Sequence, residues 1–230
     1  WNFERIVEIE SQLDVKSTFF FLNESIKFDL FNLKNWKLSL GRYDIESKKI
    51  KNIIRSLDKN GWEIGLHGSY NSYKSSSLLE KEKKVLEKIV GHEVIGIRQH
   101  YLNLDNKTWK RQRSVGLKYD ASWGPTTGIG FKDNKVSHFY PLNDKFVVFP
   151  LQIMDSCFMY TEDKWEEFIK IVEEINKKDG LLVLNWHHRT FNEKEFPEFS
   201  KYYIRMIKEL KKRNASFHLL SDYYEKIDNL

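Results

Sequence analysis

Apolar positions along the chain recur at two spacings, and the two spacings alternate. Phe3, Ile6, Val7 and Leu13 recur near helical spacing, so the chain is expected to begin inside or just before a helix. "STFFFL", Ser17 to Leu22, follows as a short apolar run of strand length. Ile50, Ile53, Ile54 and Leu57 fall at i, i+3, i+4 and i+7, one stripe of a helix ending near Gly61, and "WEIGL" reads as the next strand. Leu78, Leu79, Leu86, Ile89 and Val90 mark a second helical stripe closed by Gly91, followed by "EVIGI" as strand. A shorter helix around Thr108 to Val115 precedes "KYDAS", and a Gly- and Thr-rich loop from Gly124 to Gly130 leads to "FVVFPLQIM". Trp165, Phe168, Ile169, Val172 and Ile175 mark a further amphipathic helix before "GLLVLNW", the clearest buried strand in the pattern. A helix around Phe199 to Leu210 leads to "SFHLL" and a short closing helix.

These strand candidates read as continuous apolar runs, nearly all separated by helices, the pattern of parallel strands covered by helices on both faces. A (β/α) barrel and a doubly wound open sheet both fit. No G-x-G-x-x-G or P-loop favours a nucleotide-binding version. The 230 residues fall within the size of one domain, so residues 1–230 are expected to fold as a single unit.

Composition narrows the function classes. The net charge is +5, but 38 basic and 33 acidic residues are interspersed, without the like-charge run of a nucleic-acid arm. Cys157 is the only cysteine, so no intramolecular disulfide framework exists. No apolar run approaches the length of a membrane span and no signal-peptide pattern opens the sequence. A cytoplasmic location is the expectation, with no transmembrane segment and no nucleic-acid partner.

In parallel barrels the chemistry sits at the C-terminal ends of strands, and here those ends carry polar residues. "WEIGL" runs into His67, Gly68, Ser69, Tyr70 and Asn71; "EVIGI" into Arg98, Gln99, His100 and Tyr101; "KYDAS" carries Asp120; "FPLQIM" ends on Asp155; "GLLVLNW" ends on His187, His188 and Arg189. A neutral imidazole at a strand end suits zinc, although a histidine in such a place can equally be hydrogen-bonded for structure. Ser69 and Cys157 invite covalent chemistry, but neither has G-x-S-x-G geometry or a triad order around it.

Taken in order, "GLHGSYNSY", "GIRQHYL", "YDASWG", "PLQIMD" and "NWH" resemble the polysaccharide deacetylases, the carbohydrate esterase family with the NodB-homology domain, in an atypical subgroup. The ordered set is specific, whereas any single motif is not. The resemblance implies an irregular (β/α)7-type TIM-like barrel and a divalent metal, usually zinc, held by one Asp and two His. It also implies hydrolysis of acetamido groups on a sugar or polysaccharide. His67 matches the first histidine of the family's H-x-x-x-H motif. Asn71 stands where the second would be, and a harder amide oxygen there could hold metal, contact substrate or cap the turn. Arg98 resembles the arginine that orients the catalytic base. His100 replaces the proline of that motif, and either adds a nitrogen near the metal or packs. It is grouped with Tyr70, Trp123 and Trp186 as a substrate-binding candidate. Tyr101 falls where a backbone N–H holds the oxyanion. His187 matches the general acid, and Asp155 would fix its tautomer.

The family's metal-binding aspartate and general-base aspartate lie on a first strand before the opening helix. That strand is not in this sequence, so the chain is expected to begin downstream of it. The reading that results is a metal-dependent N-deacetylase. Its rival is a non-catalytic carbohydrate-binding domain on the same fold, favoured by Asn71 and the missing aspartate.

Overall fold

The computed structural model describes residues 2–24, 26, 29–32, 35–36 and 43–228. In chain order the elements are α1 (Phe3–Gln12), β1 (Thr18–Leu22), α2 (Lys48–Lys59), β2 (Glu63–Gly68), α3 (Ser76–Val90), β3 (Gly96–Gln99), α4 (Thr108–Ser114) and β4 (Tyr119–Asp120). There follow β5 (Val147–Val148), β6 (Ile153–Met154), α5 (Asp155–Met159), α6 (Lys164–Lys177), β7 (Leu184–Asn185), α7 (Phe199–Lys212) and α8 (Leu220–Asp228). The chain divides into two compact units, one of Thr18–Ser122, Tyr140–Val148 and Tyr224–Leu230, the other of Trp1–Ser17, Trp123–Phe139 and Phe149–Tyr223.

The first unit holds a five-stranded sheet in the order β1-β2-β3-β4-β5, every pairing parallel. Strand order follows chain order because each crossover carries the chain one place along the sheet. Helices α2 and α3 cover it through the stripes visible in the sequence: Ile50, Ile54, Leu57, Leu79, Leu86 and Ile89 are all buried. Both helices start on a serine cap, Ser47 Oγ accepting from the Ile50 N–H and Ser75 Oγ from the Leu78 N–H. Gly91 ends α3 at φ 89°, a left-handed conformation that glycine adopts without the Cβ penalty.

The second unit pairs β6 with β7, again parallel. Its core gathers Ile153, Phe158, Phe168, Val172, Met206 and Leu210 from β6, α5, α6 and α7. Helix α1 joins this unit through Glu10, buried and accepting from the Tyr203 hydroxyl at 2.6 Å. The α/β class with parallel strands is as the periodicity indicates.

Three expected strands differ. "FVVFPLQIM" is two strands, because Pro150 cannot donate to a ladder; Val147–Val148 pairs with β4 and Ile153–Met154 with β7. In "GLLVLNW" only Leu184–Asn185 is strand, the Val183 N–H donating instead to the Gln152 side-chain oxygen at 2.8 Å, and only Val183 of the leucine-valine run is buried. "SFHLL" forms no strand: Phe217 reaches the apolar core by its side chain while Ser216 and His218 are exposed, and α8 begins at Leu220.

Candidate functional site

In the first unit the candidate residues follow from strand register. Strands β2 and β3 run further than their apolar letters suggest, so His67, Gly68, Arg98 and Gln99 are strand residues, with His67 opposite Arg98 and Gly68 opposite Gln99. The approach at Gly68 is close: a Cβ there would run into the end of the Gln99 side chain. His67 Nδ1 lies 2.7 Å from the Arg98 carbonyl oxygen. A carbonyl only accepts, so Nδ1 carries the proton and Nε2 is the basic nitrogen. The ring of His100 sits 5.1 Å from that of His67, centroid to centroid, and Tyr101 packs 4.6 Å beyond it.

Tyr101 and Leu102 both have positive φ, 57° and 55°, a strained pair of non-glycine residues of the kind that persists only when its surroundings hold it. The Tyr101 side chain is well exposed and meets the Tyr70 ring edge-on at 5.8 Å. Arg98 is buried, its Nε donating to the Ala121 carbonyl at 2.9 Å and its guanidinium lying 4.7 Å from the Phe20 ring. Burial draws its pKa down to about 10, against the opposing charges of Tyr119 and Asp120.

Asn71 is exposed, and its side chain makes no cap hydrogen bond to the turn that follows. The turn is held from beneath. Glu82 on α3, only 1% exposed, accepts the Ser69 N–H at 3.1 Å, and Ser72 Oγ lies within hydrogen-bond distance of both the Ser69 carbonyl and Gln99 Oε1. Burial raises the Glu82 carboxyl to about 7. On the neighbouring strand, the Gln99 N–H donates to Ser122 Oγ, which donates in turn to Asp120 Oδ2 at 2.7 Å. Asp120, itself fully buried and pushed up by that burial, therefore braces the end of β3.

In the second unit Asp155 and His187 come together as the sequence suggests. Asp155 follows β6 and begins α5; His187 follows β7. The Asp155 carboxylate, fully buried, accepts His187 Nδ1–H at 2.7 Å on one oxygen and the His187 backbone N–H at 2.8 Å on the other. It also takes the Ser156 N–H at 2.6 Å and lies 3.0 Å from the Thr190 hydroxyl. Burial pushes this carboxyl up, but the hydrogen bonds and charge of His187 outweigh it and hold the group below its ordinary value. The imidazole, 40% exposed, thus has one nitrogen tied to a carboxylate and the other left to present.

Its neighbour His188 is different. It stacks on Phe3 at 4.9 Å, and burial drives its pKa down to about 4, so it is a neutral packing residue. Trp186 packs into the apolar core against Phe158 and Tyr203. Trp123 meets Phe139 edge-on, and the Lys132 ammonium sits 4.0 Å over its face.

Imidazole pairs are the donors a borderline divalent ion such as zinc prefers, and His67 with His100 supplies such a pair. Among the described residues no group of three or more His, Cys, Asp or Glu side chains is placed to hold a metal ion. No helix of the described residues is long and apolar enough to cross a membrane.

Comparison with known proteins bears on these arrangements. The chain shares its fold with a Mycobacterium smegmatis structure assigned to the polysaccharide deacetylases, at TM-score 0.68 and 16% identity over 99% of this chain and 77% of that one. PuuE allantoinase is similar at TM-score 0.67 and 14% identity, over 96% and 70% of the two chains. A wild-type CE4-family pseudoenzyme from Bacillus anthracis matches at TM-score 0.52 and 14% identity, over 97% of this chain and 62% of that one. A search of the curated proteins found no match. The family model described as WbmS-like polysaccharide deacetylase matches residues 46–203, which span β2 to β7 and every candidate residue from His67 to His187. The chain belongs to that family.

Proposed function

We propose that this chain is a metal-dependent carbohydrate N-deacetylase, removing an acetyl or similar acyl group from the amino nitrogen of a sugar or polysaccharide by hydrolysis. The observation that carries the reading is the Asp155–His187 pair, in a chain whose family is the polysaccharide deacetylases. Water adds its oxygen to the acyl carbon, the C–N bond breaks, the acyl group leaves as a carboxylate, and the sugar keeps a protonated amine. The amine is a poor leaving group unless it takes a proton as the bond breaks. His187 is suited to deliver that proton from Nε2, because Nδ1–H is already committed to Asp155. A carboxylate held in its charged form fixes the ring orientation.

The first unit, taken by itself, carries two groups suited to such chemistry. The Tyr101 N–H, on a strained turn, is a donor for the developing oxyanion, a role that does not depend on the side chain. His67, with its tautomer set by the Arg98 carbonyl, presents Nε2 to a divalent cation such as zinc. When bound, such an ion polarises the acyl oxygen and makes water acidic enough to attack at neutral pH. Tyr70, with its ring beside Tyr101, and Trp123 are the candidate sugar contacts.

The test is acetate and free-amine release from N-acetylglucosamine oligomers by the wild type and by His187→Ala. Removing a general acid should lower kcat by about 10²–10⁴-fold, with binding of the oligomer retained. Equal rates for the two proteins, or binding with no release by the metal-supplemented wild type, would overturn the reading; the second result would make the chain a sugar-binding relative of an enzyme.

A further inference from the structure

The family pattern puts its second metal histidine four residues after the first, and here that place holds Asn71. We infer that His100 takes over that ligand position, so that His67, on β2, and His100, in the turn after β3, form the imidazole pair of a divalent cation site. This inference rests on the proposed hydrolase reading and names the ligands of the same site.

The ends of two neighbouring strands make the juxtaposition. His67 lies opposite Arg98 in the sheet. β3 ends at Gln99, and His100 opens the short 3-10 turn that follows, which brings its ring beside that of His67. The rings lie 5.1 Å apart with planes inclined at 44°. That separation can be compared with what one ion requires. With a zinc–nitrogen bond of about 2.05 Å and roughly 1.15 Å from nitrogen to ring centre, each centroid lies about 3.2 Å from the metal. A tetrahedral angle then sets the two centroids about 5.2 Å apart. The observed spacing is what two imidazoles on one tetrahedral ion would have.

Tautomer and backbone agree with the assignment. The Arg98 carbonyl takes Nδ1–H of His67, the usual support that orients a ligating histidine by its other nitrogen. His100 itself follows the braced end of β3, where Gln99 is tied to Ser122 and Asp120. Asn71, by contrast, is exposed and makes no cap bond, and its amide oxygen suits harder ions than imidazole does. The pair therefore selects zinc, cobalt or nickel over magnesium and calcium.

The experiment is titration of metal-free protein with Co²⁺, following the visible absorption of the ion and the zinc retained after dialysis by mass spectrometry. Wild type, His67→Ala, His100→Ala and Asn71→Ala are compared, and circular dichroism confirms that each is folded. His100→Gln stands in for the alanine variant should that one unfold. His67→Ala and His100→Ala should each weaken binding at least 10-fold and alter the Co²⁺ spectrum, while Asn71→Ala stays within about two-fold of wild type. If His100→Ala and its Gln counterpart bind as wild type does while Asn71→Ala does not, the ligand assignment falls and the hydrolase reading stands. If folded wild type takes up neither Co²⁺ nor Zn²⁺, both fall.

Discussion

Glu82 offers a quantitative test of how the turn after β2 is supported. It sits on the buried stripe of α3 at 1% exposure, gives its Oε2 to the Ser69 N–H, and has its pKa raised by burial from 4.5 to about 7. A raised carboxyl pKa means that the folded state holds a proton that the unfolded state has lost. Its stabilising contribution is therefore complete below pH 4.5 and is lost as pH rises towards 7. At about 1.36 kcal/mol per pH unit, the full loss is about 3 kcal/mol. Glu82→Gln keeps an oxygen for the Ser69 N–H and removes the titration. Urea unfolding of both proteins at intervals from pH 4.5 to 7.5 gives ΔG for each. The difference, wild type minus variant, should fall by about 3 kcal/mol across that range, and any constant offset from the amide drops out of the slope. A difference that stays flat to within about 0.5 kcal/mol would refute the argument that Glu82 is a protonated, desolvated support.

Asp155→Asn should lower kcat by at least about 10²-fold, since it removes the carboxylate that keeps His187 oriented, and a steady-state assay on acetylated oligomers reads it. Its stability effect has the opposite sign to that of Glu82: the lowered carboxyl stabilises above its ordinary value, so the gap between wild type and Asp155→Asn should close as pH falls through the lowered one. Thr190→Val should lower kcat less than Asp155→Asn, because the carboxylate keeps its bonds from His187 and Ser156. Gly96→Ala places a Cβ against the fully buried Tyr119 ring, whose hydroxyl is tied to Glu63 at 2.6 Å; it should cost about 1–3 kcal/mol or more in chemical unfolding.

The candidate residues were legible to different depths. His67, Arg98, Asp155 and His187 stand at strand ends because a continuous apolar run followed by a polar residue is a local pattern. The pairing of Asp155 with His187 is what the family resemblance implies for two of these strand ends. Glu82, Thr190 and the Ser122–Asp120 brace could not be read so directly, because their roles depend on contacts 13, 35 and 23 residues apart along the chain. Glu82 did leave a trace, as a carboxylate sharing a buried helical stripe with Leu79, Lys83 and Leu86. "SFHLL" misleads for the converse reason: a single anchored aromatic makes a five-letter apolar word without a neighbouring ladder to join. Trp186 lies beside a motif residue yet packs as core, and only the fold distinguishes those two positions.

The most direct test of the central claim is isotopic. Wild-type protein supplied with zinc is incubated in H₂¹⁸O with an acetylated glucosamine oligomer, and the products are resolved by mass spectrometry. Hydrolysis predicts acetate carrying one ¹⁸O, one free amine on the sugar for each acetate formed, and neither product above background with His187→Ala. An oligomer that binds and is recovered intact, with no labelled acetate, would contradict the account.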